Sequence, residues 1–488
     1  MSNSAIVKNS FVRAWIIKNG ALPNHAPNYQ GRLKFGDWSQ NFGDLTRIEE
    51  PDETRFDSFN IVDTVRGAAD FVTFELEGRM PMGKSTLLEL AKLGCLFDVQ
   101  AHIGQCADPR LYDTNWKKLL VFEDARATEI GVANFGALTT DDRDATNETI
   151  QVSAERVYEV LPLNLADVMP SGITNLVVDV AVYGQRECTE CEETNIPGCD
   201  TVFVLTDNAA SAAAQAQIIF SDDGFATSGS TIIPSTPSDP VAIEVVGLYL
   251  FVLLAGETDI WYAYIPDVLT GTETWATITG PGPDLQSIHS ASPTVAWVGD
   301  VDGNLYKVSQ LAFTDTWELS SDGIIAVYSL DDQYVMVIDE NNAYYTTNGG
   351  LSFTTVDPGI ASLHLTCAIV DKNNWLIGTE GGDLFYSVDG GVTWTEKTLT
   401  VPAGQISAIE PVTKSVIYLV GMNAGSTAGI IYRSTNGGNS WKVLPDLVGN
   451  MPTNTGLSKA AICRNDPNLL YVGGVNSTVG VVVKGIGS

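Results

Sequence analysis

The sequence predicts a mainly β protein in two parts. A β-dominated first part with one helix is expected over residues 1–190, and a β-propeller of about seven blades over 201–488, with a cysteine-containing linker at 191–200. Three observations predict this. Aromatic residues beyond position 200 recur at a spacing near 40. The clearest repeats end in a turn of one chemical pattern. The runs between turns are short, apolar and β-branched, and helical periodicity is absent from that half.

In chain order, the first part offers strand-like stretches at 71–76, 118–122 and 176–182. These are rich in Val, Leu and Phe, residues that suit a pleated, half-buried surface. A helix is predicted over 85–93. Ser85 stands as its N-cap, Leu87, Leu90 and Ala91 share one face, and Gly94 can close it. Long loops are expected around 20–60 and 100–115.

Beyond residue 200 the repeat dominates. Its cleanest copy is Tyr386-Ser387-Val388-Asp389-Gly390-Gly391-Val392-Thr393-Trp394. Ser434, Asn436, Gly438 and Trp441 repeat the pattern, and so do Thr346, Asn348, Gly350 and Phe353. Residues 221–227 form a decayed copy, while Trp275 and Trp317 keep the aromatic without the turn. Trp275, Trp317, Phe353, Trp394 and Trp441 lie 42, 36, 41 and 47 residues apart. That is the period of a four-stranded blade. The Asp or Asn side chain caps turn amides, Gly supplies a positive φ and the aromatic packs between blades, so all twelve residues are read as structural. Six repeats reach Trp441 and 457–484 begins another. The strand at 201–205 is expected to close a ring of seven, with six as the fallback.

The turn pattern resembles the Asp-box of sialidase-like propellers. In that family the box is a folding device on the blade rim and not a catalytic group.

The first part carries a second resemblance. Gly-Asp-Leu-Thr-Arg-Ile-Glu-Glu-Pro (43–51), Val-Arg-Gly (65–67), Phe-Glu-Leu-Glu-Gly-Arg (74–79) and Leu-Gly-Cys-Leu-Phe-Asp-Val-Gln (93–100) follow in order. Lys-Leu-Leu-Val-Phe-Glu-Asp-Ala-Arg (118–126) and Asn-Glu-Thr-Ile-Gln-Val-Ser-Ala (147–154) extend it. Over about residues 5–185 this resembles a phage tail tube (major tail) protein. The resemblance implies a β-sandwich or barrel with one helix. Its implied partners are the chain itself, in a hexameric ring and in stacked rings, and other tail proteins including a tape-measure protein. DNA is met only in transit, and host-surface glycans are a further implied partner of the propeller. The implied location is the virion tail, after synthesis in the host cytoplasm.

Three chemical readings compete with this one. Gly78-Arg79-Met80-Pro81-Met82-Gly83-Lys84-Ser85 matches the phosphate-loop pattern, with 119–124 or 176–179 as a carboxylate-bearing partner strand. Against it, Thr73, Glu75 and Glu77 alternate with apolar residues where a buried parallel strand would be continuously apolar. Pro81 also removes a loop amide, and one helix is too few for crossover connections. Sialidase-type hydrolysis needs three arginines, yet 201–488 holds only Arg433 and Arg464; a hydrolase using two carboxylates has no placed pair. Cys188, Cys191 and Cys199 suggest a metal or disulfide cluster, with Glu193 or Asp200 needed to complete a zinc set. His25, His102, His289 and His364 have no partner spaced for nucleophilic catalysis. No catalytic residue, cofactor or metal is expected, and the chain is read as not an enzyme.

Charge narrows the partners. The net charge is −32, made up of −13 over 1–200 (18 Lys and Arg against 31 Asp and Glu) and −19 over 201–488 (9 against 28). A chain so acidic lacks the basic patches that release counterions from phosphate, so a tight grip on nucleic acid is not expected. Neither a membrane-spanning run nor a secretory leader is expected.

Overall fold

The computed structural model describes residues 11–18, 28–29, 34–35, 45–51, 59–66, 72–79, 96–104, 116–133, 147–170, 175–183, 199–207, 216–234, 239–282, 284–399, 403–425, 428–444, 455–463, 466–476 and 479–487. The chain divides into one unit of residues 1–21 and 25–161 and another of residues 22–24 and 162–488. The expected helix over 85–93 lies outside the described residues.

The first unit is built from β1 (Phe11–Lys18), β2 (Asn28–Tyr29), β3 (Lys34–Phe35), β4 (Leu45–Pro51), β5 (Phe59–Arg66), β6 (Val72–Arg79), β7 (Phe97–Gly104), β8 (Trp116–Ala133), β9 (Asn147–Ala154) and β10 (Arg156–Val160). Eight of them form one sheet in the order β2-β1-β7-β8-β9-β6-β3, with β10 also on β8, while β4 and β5 pair as a separate hairpin. The loop expected over 20–60 is therefore interrupted by strands, because the residues of β4 and β5 satisfy each other's backbone groups along seven register pairs.

β8 carries this architecture. Its first half pairs with β7 and β10 and its second half with β9. The change of direction falls at Asp124, whose φ of 52° is a left-handed conformation that Asp tolerates better than most residues. The Asp98 carboxylate accepts the Asp124 amide at 3.0 Å, satisfying a donor that the interrupted ladder leaves over. Alternation along β6 buries Val72 and Phe74 and exposes Thr73, and Phe74 meets Phe122 with ring centroids 4.5 Å apart. Phe97, Val99, Ile150 and Val152 complete the core.

Among its described residues the second unit contains seven four-stranded antiparallel sheets. Six use consecutive strands, over 176–232, 240–278, 285–318, 326–356, 364–397 and 403–443; these are blades 1 to 6. Blade 7 takes three strands from 455–487 and its outermost strand from β11 (Leu163–Asp167). The innermost strands touch their neighbours in sequence, and that of blade 7 touches that of blade 1, so the ring closes.

Two expectations are corrected here. The propeller begins at 162 rather than 201, because β11 and the strand Leu176–Val182 both pair within blades. The strand at 201–205 does not close the ring. It lies in Val202–Asp207, the second strand of blade 1, and β11 closes the ring instead. Helix is also present in this half as one short element, Ile265–Thr270 in blade 2. Pro266 opens it and Gly271, at φ 69°, stops it after six residues, too few to show a period.

Candidate functional site

Within each blade the strands run alternately, so the turns between second and third strands share one end of the ring with the connections between blades. The other turns share the opposite end. The recurrent turn motifs lie at that opposite end, and four turns have one geometry. In blade 5 the Ser387 hydroxyl donates to Asp389 at 2.8 Å and accepts the Gly391 amide at 2.8 Å. Asp389 then accepts the Thr393 amide at 2.8 Å and its hydroxyl at 2.7 Å. Thr346, Asn348 and Ser352 repeat the arrangement in blade 4, as Ser434, Asn436 and Ser440 do in blade 6. The second glycine of the pair in blade 5 is required twice over. Gly391 has a φ of 88°, and a Cβ there would stand 2.8 Å from the Trp375 ring.

Residues 221–227 are not decayed in geometry. Asp223 accepts the Thr227 amide and hydroxyl at 2.8 and 2.7 Å, and Ser221 accepts the Phe225 amide at 2.8 Å. Phe225 occupies the glycine's place at a φ of 71°. The three blades without the motif close differently: blade 2 through the helix, blade 3 through Gln310 and Leu311, both with positive φ in a two-residue turn, and blade 7 through β11, which comes from a distant part of the chain. Among the regularly spaced aromatics, Trp317 packs on Trp297 of its own blade and on Phe353 of blade 4, each at 5.4 Å. Trp394 donates to the Gly391 carbonyl at 3.0 Å, and Trp441 is buried.

The end of the ring bearing the second-to-third-strand turns is the acidic one. Its turns and blade connections include Glu257, Asp302, Asp322, Glu340, Glu380 and Asp383 and, among the described residues, contain no Lys or Arg, whereas the opposite end carries Lys372 and Lys414. Two carboxylates here are fully buried and were not singled out from the sequence. Asp300 accepts bonds from the amides of Asp302 and Asn304, the Asn304 side chain and the Tyr306 hydroxyl, at 2.7 to 2.9 Å. Asp339 accepts from the amides of Asn341 and Asn342, and from the hydroxyls of Ser320 at 2.6 Å and Tyr344 at 2.8 Å. The signal was available: an Asp followed by Asn at +4 or +3 and Tyr two residues later, in equivalent turns of blades 3 and 4.

These carboxylates are occupied as hydrogen-bond acceptors. Burial alone would push the Asp339 pKa up, but its donors outweigh burial and hold it below the usual range. The Tyr306 and Tyr344 hydroxyls are pushed up by burial and by the carboxylates they bond. Asp179, on the innermost strand of blade 1, has its pKa raised by burial, although Lys459 and the amides of Val180 and Ile243 favour its charge. Its two oxygens accept those amides at 2.9 and 3.1 Å, tying blade 1 to blade 2. General acid–base catalysis needs a carboxyl with a raised pKa and a free face. Asp339 has a lowered pKa and Asp179 has both oxygens engaged by amides, so neither combines the two features.

The remaining candidates are distributed as follows. Gly78 and Arg79 end β6, whose partners β9 and β3 are antiparallel, while residues 80–85 lie outside the described residues. An antiparallel setting does not match the parallel central strand of a phosphate-loop domain. The partner stretch 119–124 lies in β8 and 176–179 lies in blade 1. Arg433 is buried in a strand. His289 accepts the Ser329 amide through Nδ1 at 3.1 Å and stacks on Tyr328. His364 is fully buried, and burial lowers its pKa, so the ring is neutral near pH 7. Cys188, Cys191, Glu193 and His25 lie outside the described residues. Cys199 is bonded to Cys463, not to a neighbour in its own cluster, and Asp200 pairs with Lys484 at 3.3 Å. The cluster is thus divided by the fold: closing the ring brings a cysteine 264 residues away to within 5.4 Å, Cα to Cα. Among the described residues no group of three or more His, Cys, Asp or Glu side chains is placed to hold a metal, and no helix is long and apolar enough to cross a membrane.

No protein-family model matches this sequence, and no curated protein does. Solved structures do match. The WD40 repeats of RRP9 superpose with a TM-score of 0.51 at 9% identity, covering 67% of this chain and 98% of theirs. A catalytically inactive virginiamycin B lyase from Staphylococcus aureus, solved with quinupristin, gives 0.51 at 12% identity, covering 66% and 99%. U3-55K gives 0.50 at 9% identity, covering 66% and 98%. At such low identity the likeness concerns fold alone. The chain contains a β-propeller.

Proposed function

We propose that this chain is a non-enzymatic structural subunit of a bacteriophage tail. In this reading its first unit assembles with copies of itself into stacked, hexameric rings around the genome's path, and its propeller stands on the exterior. The observation that carries the reading is the ordered set of tail-tube-like segments, supported by where they fall. Residues 43–51 and 65–67 lie around the β4–β5 hairpin, 74–79 in β6, 93–100 leading into β7, 118–126 in β8 and 147–154 in β9. The hairpin pairs only with itself among the described residues. An isolated hairpin is marginal in water, so such an element gains stability from a neighbouring surface. The two outermost strands of the sheet, β2 and β3, are two residues long, which suits edges completed by another subunit.

The propeller's part in this reading is decoration or multivalent contact with host-surface glycans, where many copies turn weak single contacts into avidity. The excess of carboxylates keeps phosphate backbones from adhering while DNA passes.

Negative-stain microscopy of the concentrated full chain tests the proposal. Rings or hollow tubes are the expected outcome. A monomer that binds sugar saturably, or turns it over, would replace it with a propeller lectin or hydrolase.

A further inference from the structure

The ring is closed twice at one seam, and the second closure is chemical. Cys199 stands just before the second strand of blade 1, and Cys463 just after the innermost strand of blade 7. These neighbouring turns at the same end of the ring are joined by a disulfide. Lys484 of blade 7 reinforces the seam: its ammonium pairs with Asp200 at 3.3 Å, donates to the Gly224 carbonyl at 3.4 Å and stands 5.4 Å from the centre of the Tyr471 ring. Cys463 is fully buried and Cys199 is half-buried, so Cys199 is the more accessible of the two.

We infer that Cys199–Cys463 is a redox latch on the propeller, open in reducing surroundings and closed by a low-molecular-weight disulfide once blade 7 has docked on blade 1. Closure runs in two exchanges. The Cys199 thiolate attacks one sulfur of the small disulfide, forming a mixed disulfide and releasing one small thiolate. The Cys463 thiolate then attacks the Cys199 sulfur and expels the second. Two protein thiols are oxidised, one small disulfide is reduced to two thiols, and the two cysteine protons pass to the released thiolates. Opening reverses this from the Cys199 side, with Cys463 as leaving group.

Docking must come first because the partners are 264 residues apart in the chain, whereas Cys188 and Cys191 are only 11 and 8 residues from Cys199 (199 − 188 and 199 − 191). Without the seam, the nearer thiols would capture Cys199. Cys367 takes no part: it is buried in blade 5 and its thiol is pushed far up by that burial.

The test oxidises the full chain with glutathione disulfide, alkylates it without reduction and maps the peptides by mass. A peptide joining Cys199 to Cys463 is expected. Cys199 joined to Cys188 or Cys191, or both seam cysteines alkylated, overturns the latch. Thermal unfolding followed by tryptophan fluorescence is the second arm. Dithiothreitol should lower the wild-type midpoint by several degrees, on the order of 5–10 °C for so long a closed loop, and leave Cys463→Ser unmoved. Equal midpoints for oxidised and reduced wild type overturn the inference, even where the variant fails to fold.

Discussion

Asp389 and His364 show two kinds of titrating residue that stabilise the propeller in different pH windows. Burial is the largest single influence on Asp389 and opposes its charge, but the Thr393 amide and hydroxyl and the Ser387 hydroxyl together outweigh it, so its folded pKa lies below the usual 3.8. Its contribution is present above the unfolded value and is lost as pH falls through the lower, folded one. Asp389→Ala removes the cap and should destabilise the propeller by about 1 kcal/mol at pH 7 in urea unfolding, the ordinary worth of a capping side chain. His364 acts at milder acidity. Burial lowers its folded pKa from 6.5, so the unfolded chain takes up a proton that the folded ring resists. Stability should therefore decline as pH falls from about 6.5 towards the folded value, and His364→Gln should flatten that part of the profile. A profile with an unchanged slope in the variant would assign that decline elsewhere.

At the scale of elements, β11 has the clearest energetic role. Leu163 and Leu165 are buried, and a Cβ at Gly485 of blade 7 would stand 3.3 and 3.2 Å from them. Leu165→Ala should cost about 2–5 kcal/mol, the range for a large-to-small change in a core, and should lower the unfolding midpoint of the propeller before that of the first unit. The same element shows where sequence reading stops. The aromatic spacing and the glycine-bearing turns are local signals, so blades 4 to 6 were legible from Thr346, Asp389 and Trp441 outward. The membership of β11 and of Leu176–Val182 is not local: their pairing partners lie hundreds of residues away or in a sheet that no nearby motif announces. Phe225 hid a fully formed turn for another reason, since a bulky residue in a left-handed conformation breaks the rule that normally marks the position. The buried carboxylates Asp300 and Asp339 went unread because an acidic residue in a turn ordinarily signals solvent, whereas here four hydrogen bonds converge on Asp300 and five on Asp339.

The propeller is polar along its axis. The end carrying the blade connections holds carboxylates and, among the described residues, no cation in its turns, and the other end holds the capped turns, Lys372, Lys414 and the seam disulfide. The two ends thus offer different surfaces. The exposed apolar side chains Leu351 and Val392 sit in adjacent capped turns at the cationic end.

The origin of the closing strand also governs the order in which the molecule is made. β11 emerges from the ribosome 316 residues before Val479, the first residue of the strand it will pair with (479 − 163). At ordinary translation speed that interval is on the order of tens of seconds. Throughout it, the nascent propeller carries an apolar strand without its mate and a ring without its last blade. Such a strand invites pairing with another chain, so the codons of blade 7 decide between a sealed toroid and an aggregate.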